Sequence, residues 1–413
     1  MPVIRDNKYT DFSKSIINMK NMNPMINMNP IKKIKEFNLQ IEETIGYSLK
    51  HIIIGLITII VILWVIITIY KQHFMVVTGN TNKQIPTMKR PFLNLYAVKK
   101  DGTEVLTNIV FITHSFTRDD CEVDYNKYKA DGMHFLGLSS YSEFPGQITN
   151  HHDVLHDPKH KAYTYDYFKL TRGWCSVFRE EINKTIFPKD FPRIQMGESD
   201  FAKYKTHLPD PSVKKEYDFL YICLKDNDKC EDGWQSKIRE FQTAKKIIDI
   251  MCKKYKLKGL LIGRIGCEVP PSCHQLMELT DFQEYATFIK NFNKCKFLLC
   301  TSMLDASPRT VSEGMCFNLP ILMNKNILGG WQYINDKTGC FFDPNNIEND
   351  FEPMLDKFMT KLNNNEYTPR DWYIKHYGEH NSGLKLLNFV KSVFKENELN
   401  IKYNDIEYMK PGI

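Results

Sequence analysis

No cysteine stands before residue 120, and no two of the eleven are spaced C-x-x-C. That argues against a zinc cluster. The odd count argues against complete pairing. Cys223 and Cys300 fall in apolar strand-like runs, and Cys252 and Cys316 in helical ones. Core thiols in a reducing compartment are the expectation, not a disulfide frame. A dense basic stripe is also lacking: 55 Lys+Arg stand against 49 Asp+Glu, for a net charge of +6. This disfavours nucleic acid as a partner and suits an anionic small molecule or a membrane surface. No H-E-x-x-H occurs. His151, His152, His156 and His160 interleave with Asp153 and Asp157, but Pro158 breaks the helix that would align the second pair. The run reads as a solvated or substrate-facing loop, and no metal is expected.

Charge is missing altogether from Ile52 to Tyr70, IIIGLITIIVILWVIITIY. Nineteen such residues are enough to span a bilayer as a helix, so 51–71 is expected to be a single-pass anchor. Before it, 1–50 is a low-complexity Asn/Met/Pro stretch followed by an amphipathic segment with Ile34, Phe37, Ile41 and Ile45 on one face. Lysines flank the span on both sides and do not orient it. Free thiols lean towards a cytoplasmic C-terminal domain, and the sequon Asn183-Lys184-Thr185 leans the other way. Asn-, Lys- and Ile-rich composition fits an AT-rich genome such as that of a large DNA virus or a protist; a viral source would place the chain in a host membrane or virion.

After a stalk at 72–106, strands and helices alternate, which predicts an α/β protein with two Rossmann-like lobes. The N-terminal lobe is expected at 107–208 and the C-terminal lobe at 209–380, with a crossover helix and tail at 381–413. Ile109–Thr113 is the first buried strand and ends at His114. Thr171–Phe178 is expected to start or cross a helix running on through Glu181. Tyr217–Leu224 and Leu260–Gly263 open the second lobe as buried strands.

The densest signal is KFLLCTSMLDASPRTVSEGMCFNLPILMNKNILGGWQYINDKTGCFF, from Lys296 to Phe342. Phe297–Cys300 reads as a strand buried on both faces. Ser307 is a favoured N-cap and Pro308 a favoured first helical residue. The helix should run to about Phe317, with Asn318 in the left-handed conformation and Leu319-Pro320 ending it. Ile321–Met323 is the next strand. Ligands bind in the loop at the carboxyl end of such a first strand. The N–H groups of Arg309 and Thr310, the helix dipole and the Arg309 charge favour an anion there. Asp305 and Glu313 bracket it, and carboxylates accept hydrogen bonds from sugar hydroxyls.

Asp305, seven residues, Glu313, then Gly314 and Asn318-Leu319-Pro320 resemble the E-x7-E signature of retaining GT-B glycosyltransferases of family 4. Gly329-Gly330 and Asp336–Phe342 resemble that family's closing motif. The resemblance implies that Glu313 holds the nucleotide ribose and Asp305 the donor sugar, with the backbone through Ser307 facing the diphosphate. It places Lys225 and Lys229 near the family's diphosphate-binding Arg and Lys of G-R-x…K-G, and Gly263 at its central-strand glycine. It implies a UDP-, GDP- or ADP-sugar donor, no required metal and transfer with retention. The acceptor, a glycan, glycoprotein or lipid, would enter from the N-terminal lobe, where His114 and His156 are candidates for catalysis. Two alternatives stay open. Asp226-Asn227-Asp228 resembles the D-x-D metal motif of GT-A enzymes, and a membrane-anchored α/β domain can bind a glycan or partner without catalysis.

Overall fold

The computed structural model describes residues 57–64, 88–141, 143–146 and 165–413. Residues 57–64 are helical and their apolar side chains are exposed, Trp64 by 67%. Among the described residues no helix is long and apolar enough to cross a membrane. The rest of the expected span, the segment before it, and His151, His152, His156 and His160 lie outside the described residues.

The remaining chain forms two six-stranded sheets. The first holds β1 (Phe92–Lys99), β2 (Glu104–Ile112), β3 (His134–Leu138), β4 (Trp174–Ser176) and β5 (Arg193–Gln195) in sequence order, with β12 (Ile406–Pro411) outside β1. β12, β1 and β2 pair antiparallel, and β2 to β5 pair parallel. Helix α1 (Cys121–Ala130) joins β2 to β3, and α2 (Glu180–Ile186) joins β4 to β5. Three expectations are corrected here. Residues 92–106, read as stalk, form β1 and the start of β2. The final dozen residues, read as tail, supply an edge strand. Trp174–Ser176, read as helix, is a strand, with helix only from Glu180.

The second sheet has the order β11-β10-β9-β6-β7-β8, all parallel. Its strands are β6 (Tyr217–Ile222), β7 (Gly259–Ile262), β8 (Met277–Thr280), β9 (Cys295–Cys300), β10 (Ile321–Asn324) and β11 (Gly339–Phe342). Between them run α3 (Trp234–Ile238), α4 (Phe241–Tyr255), α5 (Tyr285–Lys294) and α6 (Arg309–Cys316). The strand order reverses between β6 and β9, and such a switch point opens a crevice at the strands' carboxyl ends. Among the described residues the first sheet shows no such reversal. The chain then passes through α7 (Ile347–Asn363) and α8 (Pro369–His376) into α9 (Gly378–Val393). Leu386, Leu387, Phe389 and Val390 of α9 pack with Leu93, Leu95 and Ala97 of β1 in the first lobe's core.

Four of the eleven cysteines form disulfides, Cys230–Cys267 and Cys252–Cys273, and seven are free. The expectation of core thiols throughout fails at these four. Asn183 of the sequon is buried, and its amide donates to the Phe178 carbonyl at 3.1 Å, so the folded site offers no acceptor nitrogen.

A polar seam joins the lobes. Tyr333 donates to Asp200, Tyr373 donates to the Ser199 carbonyl at 2.7 Å, and Ser382 donates to the Asp200 carbonyl at 2.8 Å. Asp200 is 1% exposed, and burial pushes its carboxyl up to about 6, against the Tyr333 and Gly197 hydrogen bonds. The folded state thus holds the Asp200 proton more tightly than the unfolded chain. That contribution is complete below the ordinary carboxylate range and is lost as pH rises through about 6. Ionised Asp200 should destabilise the fold at pH 7 by roughly 3 kcal/mol. Urea denaturation between pH 4 and 7 is expected to show this decline, flattened in Asp200→Asn.

Candidate active site

The crevice is built from the loops after β6 and β9. Lys225 follows β6; its ammonium pairs with Asp228 at 3.1 Å, and its N–H donates to the Gly263 carbonyl at 2.8 Å. Gly263 has φ +103°, and a Cβ there would lie 2.6 Å from a Leu224 methyl and 2.9 Å from the Cys223 carbonyl. Glycine is required for the β7 loop to close on the β6 loop. Lys229 is exposed, its backbone N–H donates to Asn227 Oδ1 at 3.0 Å, and among the described residues no carboxylate pairs with its ammonium.

Arg239 is the cation that meets the predicted acid. Its Nη1 donates to Asp305 Oδ2 and, at 2.9 Å, to the Ser302 hydroxyl. Its carbonyl accepts from Thr301 and Tyr221, which ties it to the ends of β9 and β6. Burial works against its charge, but the Asp305 carboxylate outweighs that and raises the guanidinium above its usual range. Arg239 sits at the kink between α3 and α4, followed by Glu240 at φ +50°. A left-handed residue after a cation is the local geometry that glycine serves in a K-G pair, but glutamate hides it in the sequence.

Asp305 also accepts from the Ser307 N–H at 3.1 Å, and its carbonyl accepts from the Gly329 N–H at 3.0 Å. A Cβ on Gly329 would fall 1.8 Å from the Ala306 carbonyl, so the Gly329-Gly330 loop can bind the Asp305 loop only as glycine. Ser307 departs from its expected role. Its hydroxyl accepts from the Ser199 N–H at 2.9 Å and donates to the Ser199 hydroxyl at 3.1 Å, while Pro308 takes the cap position. With the serine committed to the other lobe, no side chain caps α6. Arg309 and Thr310 begin a helix whose first N–H groups point towards the crevice as a site for anion oxygens. Arg309 is exposed, and among the described residues no carboxylate pairs with it.

Glu313 is 4% exposed, one turn further along α6. Tyr285 donates to its Oε1 at 2.8 Å and lies 3.2 Å from His207 Nε2. Burial raises its carboxyl, opposed by that hydrogen bond and by Arg309. Tyr285 also lines a cavity of about 240 Å³ whose apolar walls are Ile222, Leu224, Ile262, Phe282 and Phe288. Gln235, Arg239 and Gln283 are its other polar members. The cavity therefore touches both predicted acids, through Tyr285 to Glu313 and through Arg239 to Asp305.

On the first lobe, His114 lies two residues past the end of β2, with Nδ1 2.9 Å from the Ser115 carbonyl. A carbonyl only accepts, so Nδ1 carries the proton. Burial, with Arg90 and Arg118, lowers its pKa, so it is neutral at pH 7 with Nε2 unprotonated. Its ring lies 6.4 Å from Tyr141, which stacks on Trp234 of the second lobe at 6.0 Å. Glu198, missed in the sequence, is buried beside it. Burial disfavours its charge, yet Arg90, at 2.5 and 2.9 Å, and Ser140 hold its carboxyl below the usual range.

The D-x-D loop does not form a paired-carboxylate site. Asp226 is turned inward, accepting from Gln235 N at 2.5 Å and Ser236 N at 3.0 Å, and lies 3.6 Å from buried Arg264. Asp228 is 98% exposed on Lys225. Among the described residues no three His, Cys, Asp or Glu side chains are grouped as a metal site.

No family model and no curated protein matches the sequence. Solved structures similar to the fold include glycosyltransferases. One from Rickettsia africae is 16% identical, with TM-score 0.48 over 70% of this chain and 77% of that one. Sucrose-phosphate synthase of Thermosynechococcus elongatus is 9% identical, with TM-score 0.49 over 66% and 71%. TarM is 15% identical, with TM-score 0.42 over 60% of this chain; the match spans about half of TarM, 48%.

Proposed function

We propose that the chain is a GT-B glycosyltransferase that moves a sugar from a nucleotide-diphosphate donor to an acceptor hydroxyl of a glycan, glycoprotein or lipid, with retention and without a required metal. The observation that carries this reading is the crevice itself: a cavity at a switch point is lined by Arg239, which holds Asp305, and by Tyr285, which holds buried Glu313 on α6, a helix whose N-terminus has no side-chain cap. The nucleoside fills the cavity and its ribose hydroxyls meet Glu313. The diphosphate lies against Arg239, Arg309 and the α6 N–H groups, with Lys225 nearby. The sugar reaches Asp305. As the bond from the anomeric carbon to the diphosphate oxygen breaks, its electron pair leaves with the diphosphate, and preorganised cations and N–H dipoles stabilise that charge. The acceptor oxygen bonds to the anomeric carbon, and its proton passes to the departing oxygen. His114, unprotonated at Nε2, orients the acceptor hydroxyl.

The test is a thermal-shift screen of the full-length protein with UDP-, GDP- and ADP-sugars, with and without EDTA. A ligand at 100 times its Kd stabilises by about 2.7 kcal/mol. One donor should raise Tm with EDTA present, and Glu313→Ala should remove that shift. A shift that needs a divalent cation and ignores Glu313 would overturn the reading.

We also propose that 51–71 anchors the protein in a membrane, with the catalytic lobes on its oxidising side. The uncharged run and the exposed apolar side chains of 57–64 support the anchor. The two disulfides support the oxidising side.

A further inference from the structure

Resting on the reading of the cavity as a nucleoside site, we propose that it selects a base with a keto oxygen, as in uracil or guanine, over the amino bases cytosine and adenine. The selecting group is Gln283. Its Oε1 accepts from Asn291 Nδ2 at 2.7 Å, and the same Nδ2 donates to the Thr287 carbonyl at 3.4 Å. A backbone carbonyl can only accept, so Asn291 must face Thr287 with its nitrogen. Asn291 is 8% exposed, and Thr287 stands one turn before it on α5, so helix geometry holds this orientation. Gln283 must then turn its oxygen to Asn291. Its Nε2, which bonds to none of the described residues, is left as a fixed donor at the cavity wall.

Gln235 lines the same cavity. Its backbone N–H is held by Asp226 at 2.5 Å, but its side-chain amide bonds to none of the described residues and can present either atom. One fixed donor and one adaptable amide complement the keto and ring N–H edge of uracil. The keto oxygen accepts from Gln283, and the ring N–H donates to Gln235. Cytosine puts an amino group where uracil has that oxygen. Its N–H would then face the N–H of Gln283 in a pocket walled by Ile222, Leu224, Ile262 and Phe288. Two donors facing each other leave both unpaired, which is the arrangement that discriminates most strongly between near-isosteres.

UDP and CDP differ only at this edge, so the test is calorimetric titration of the full-length protein with each. UDP is expected to bind about tenfold or more tightly than CDP. Gln283→Met should weaken UDP by a similar factor and bring the ratio near one. Asn291→Ala, which frees the Gln283 amide to rotate, should collapse the ratio mainly by improving CDP. Equal affinities in the unaltered protein, or a preference that survives Gln283→Met, would overturn the base selection. If binding is lost in Glu313→Ala but shows no UDP preference, the nucleotide site stands and only the base selection falls. If neither nucleotide nor GDP nor ADP binds folded protein, both readings fall together.

Discussion

Arg239→Ala is expected to slow sugar transfer by about 10²–10³-fold, the usual consequence of removing one preorganised group from developing negative charge. The side chain is held by Asp305 and Ser302, and the backbone carbonyl by Thr301, so the charge is placed before substrate arrives. Removing it also strips Asp305 of its cation. Asp305 is only 14% exposed, so the variant should lose some stability as well. A stability loss alone is separable, because the rate is measured as nucleotide release at a temperature where circular dichroism shows the variant folded. Arg239→Lys should recover part of the rate, since a point charge replaces the fork but cannot serve Asp305 and the diphosphate equally well. Lys229→Ala supplies the contrast. Its side chain is exposed, and its place in the loop depends on its backbone. Its loss should leave the rate within about threefold, as for a surface residue. Equal effects at both positions would return the diphosphate to Lys229.

That pair of residues also marks where the sequence is legible. The unit from Lys296 to Phe342 is readable because each signal is local. An apolar run makes β9, Asn318 adopts φ +61° where a left-handed residue was needed, and the x-Pro strand follows as β10. Asp305 and Glu313 were marked as candidates by the spacing in that unit. Arg239 was not, because its cue is a left-handed residue and Glu240 occupies that place without being glycine. β1 and β12 escaped for a different reason. Leu95 pairs with Pro411 and Val98 with Tyr408, contacts more than 300 residues apart that no window of sequence contains. Tyr285 and Gln283 were passed over because their roles come from partners, Glu313 and Asn291, brought to them by packing.

The disulfides are the other long-range feature, and reducing them is expected to have the largest effect on stability. They close separations of 37 and 21 residues in the second lobe. Loop-closure entropy makes each worth roughly 3–4 kcal/mol, against a typical total of about 5–15 kcal/mol for a folded domain. Dithiothreitol should therefore lower Tm by about 10 °C or more, given the usual few degrees per kcal/mol in a domain of this size. The two bonds differ in what they hold. Cys252 and Cys273 are fully buried, in the core of α4 and its neighbours, and Cys252→Ala with Cys273→Ala should account for about half of the fall. Cys230–Cys267 instead ties the loop carrying Lys225 and Asp226 to the loop after Gly263, at the rim of the crevice. Cys230→Ser with Cys267→Ser should loosen nucleotide binding as well as lower Tm, whereas the Cys252 and Cys273 pair should lower Tm alone. A thiol titration of the denatured, unreduced protein decides the premise: seven free thiols are expected of eleven cysteines. Eleven would remove both bonds, and with them the argument that the two lobes face an oxidising compartment.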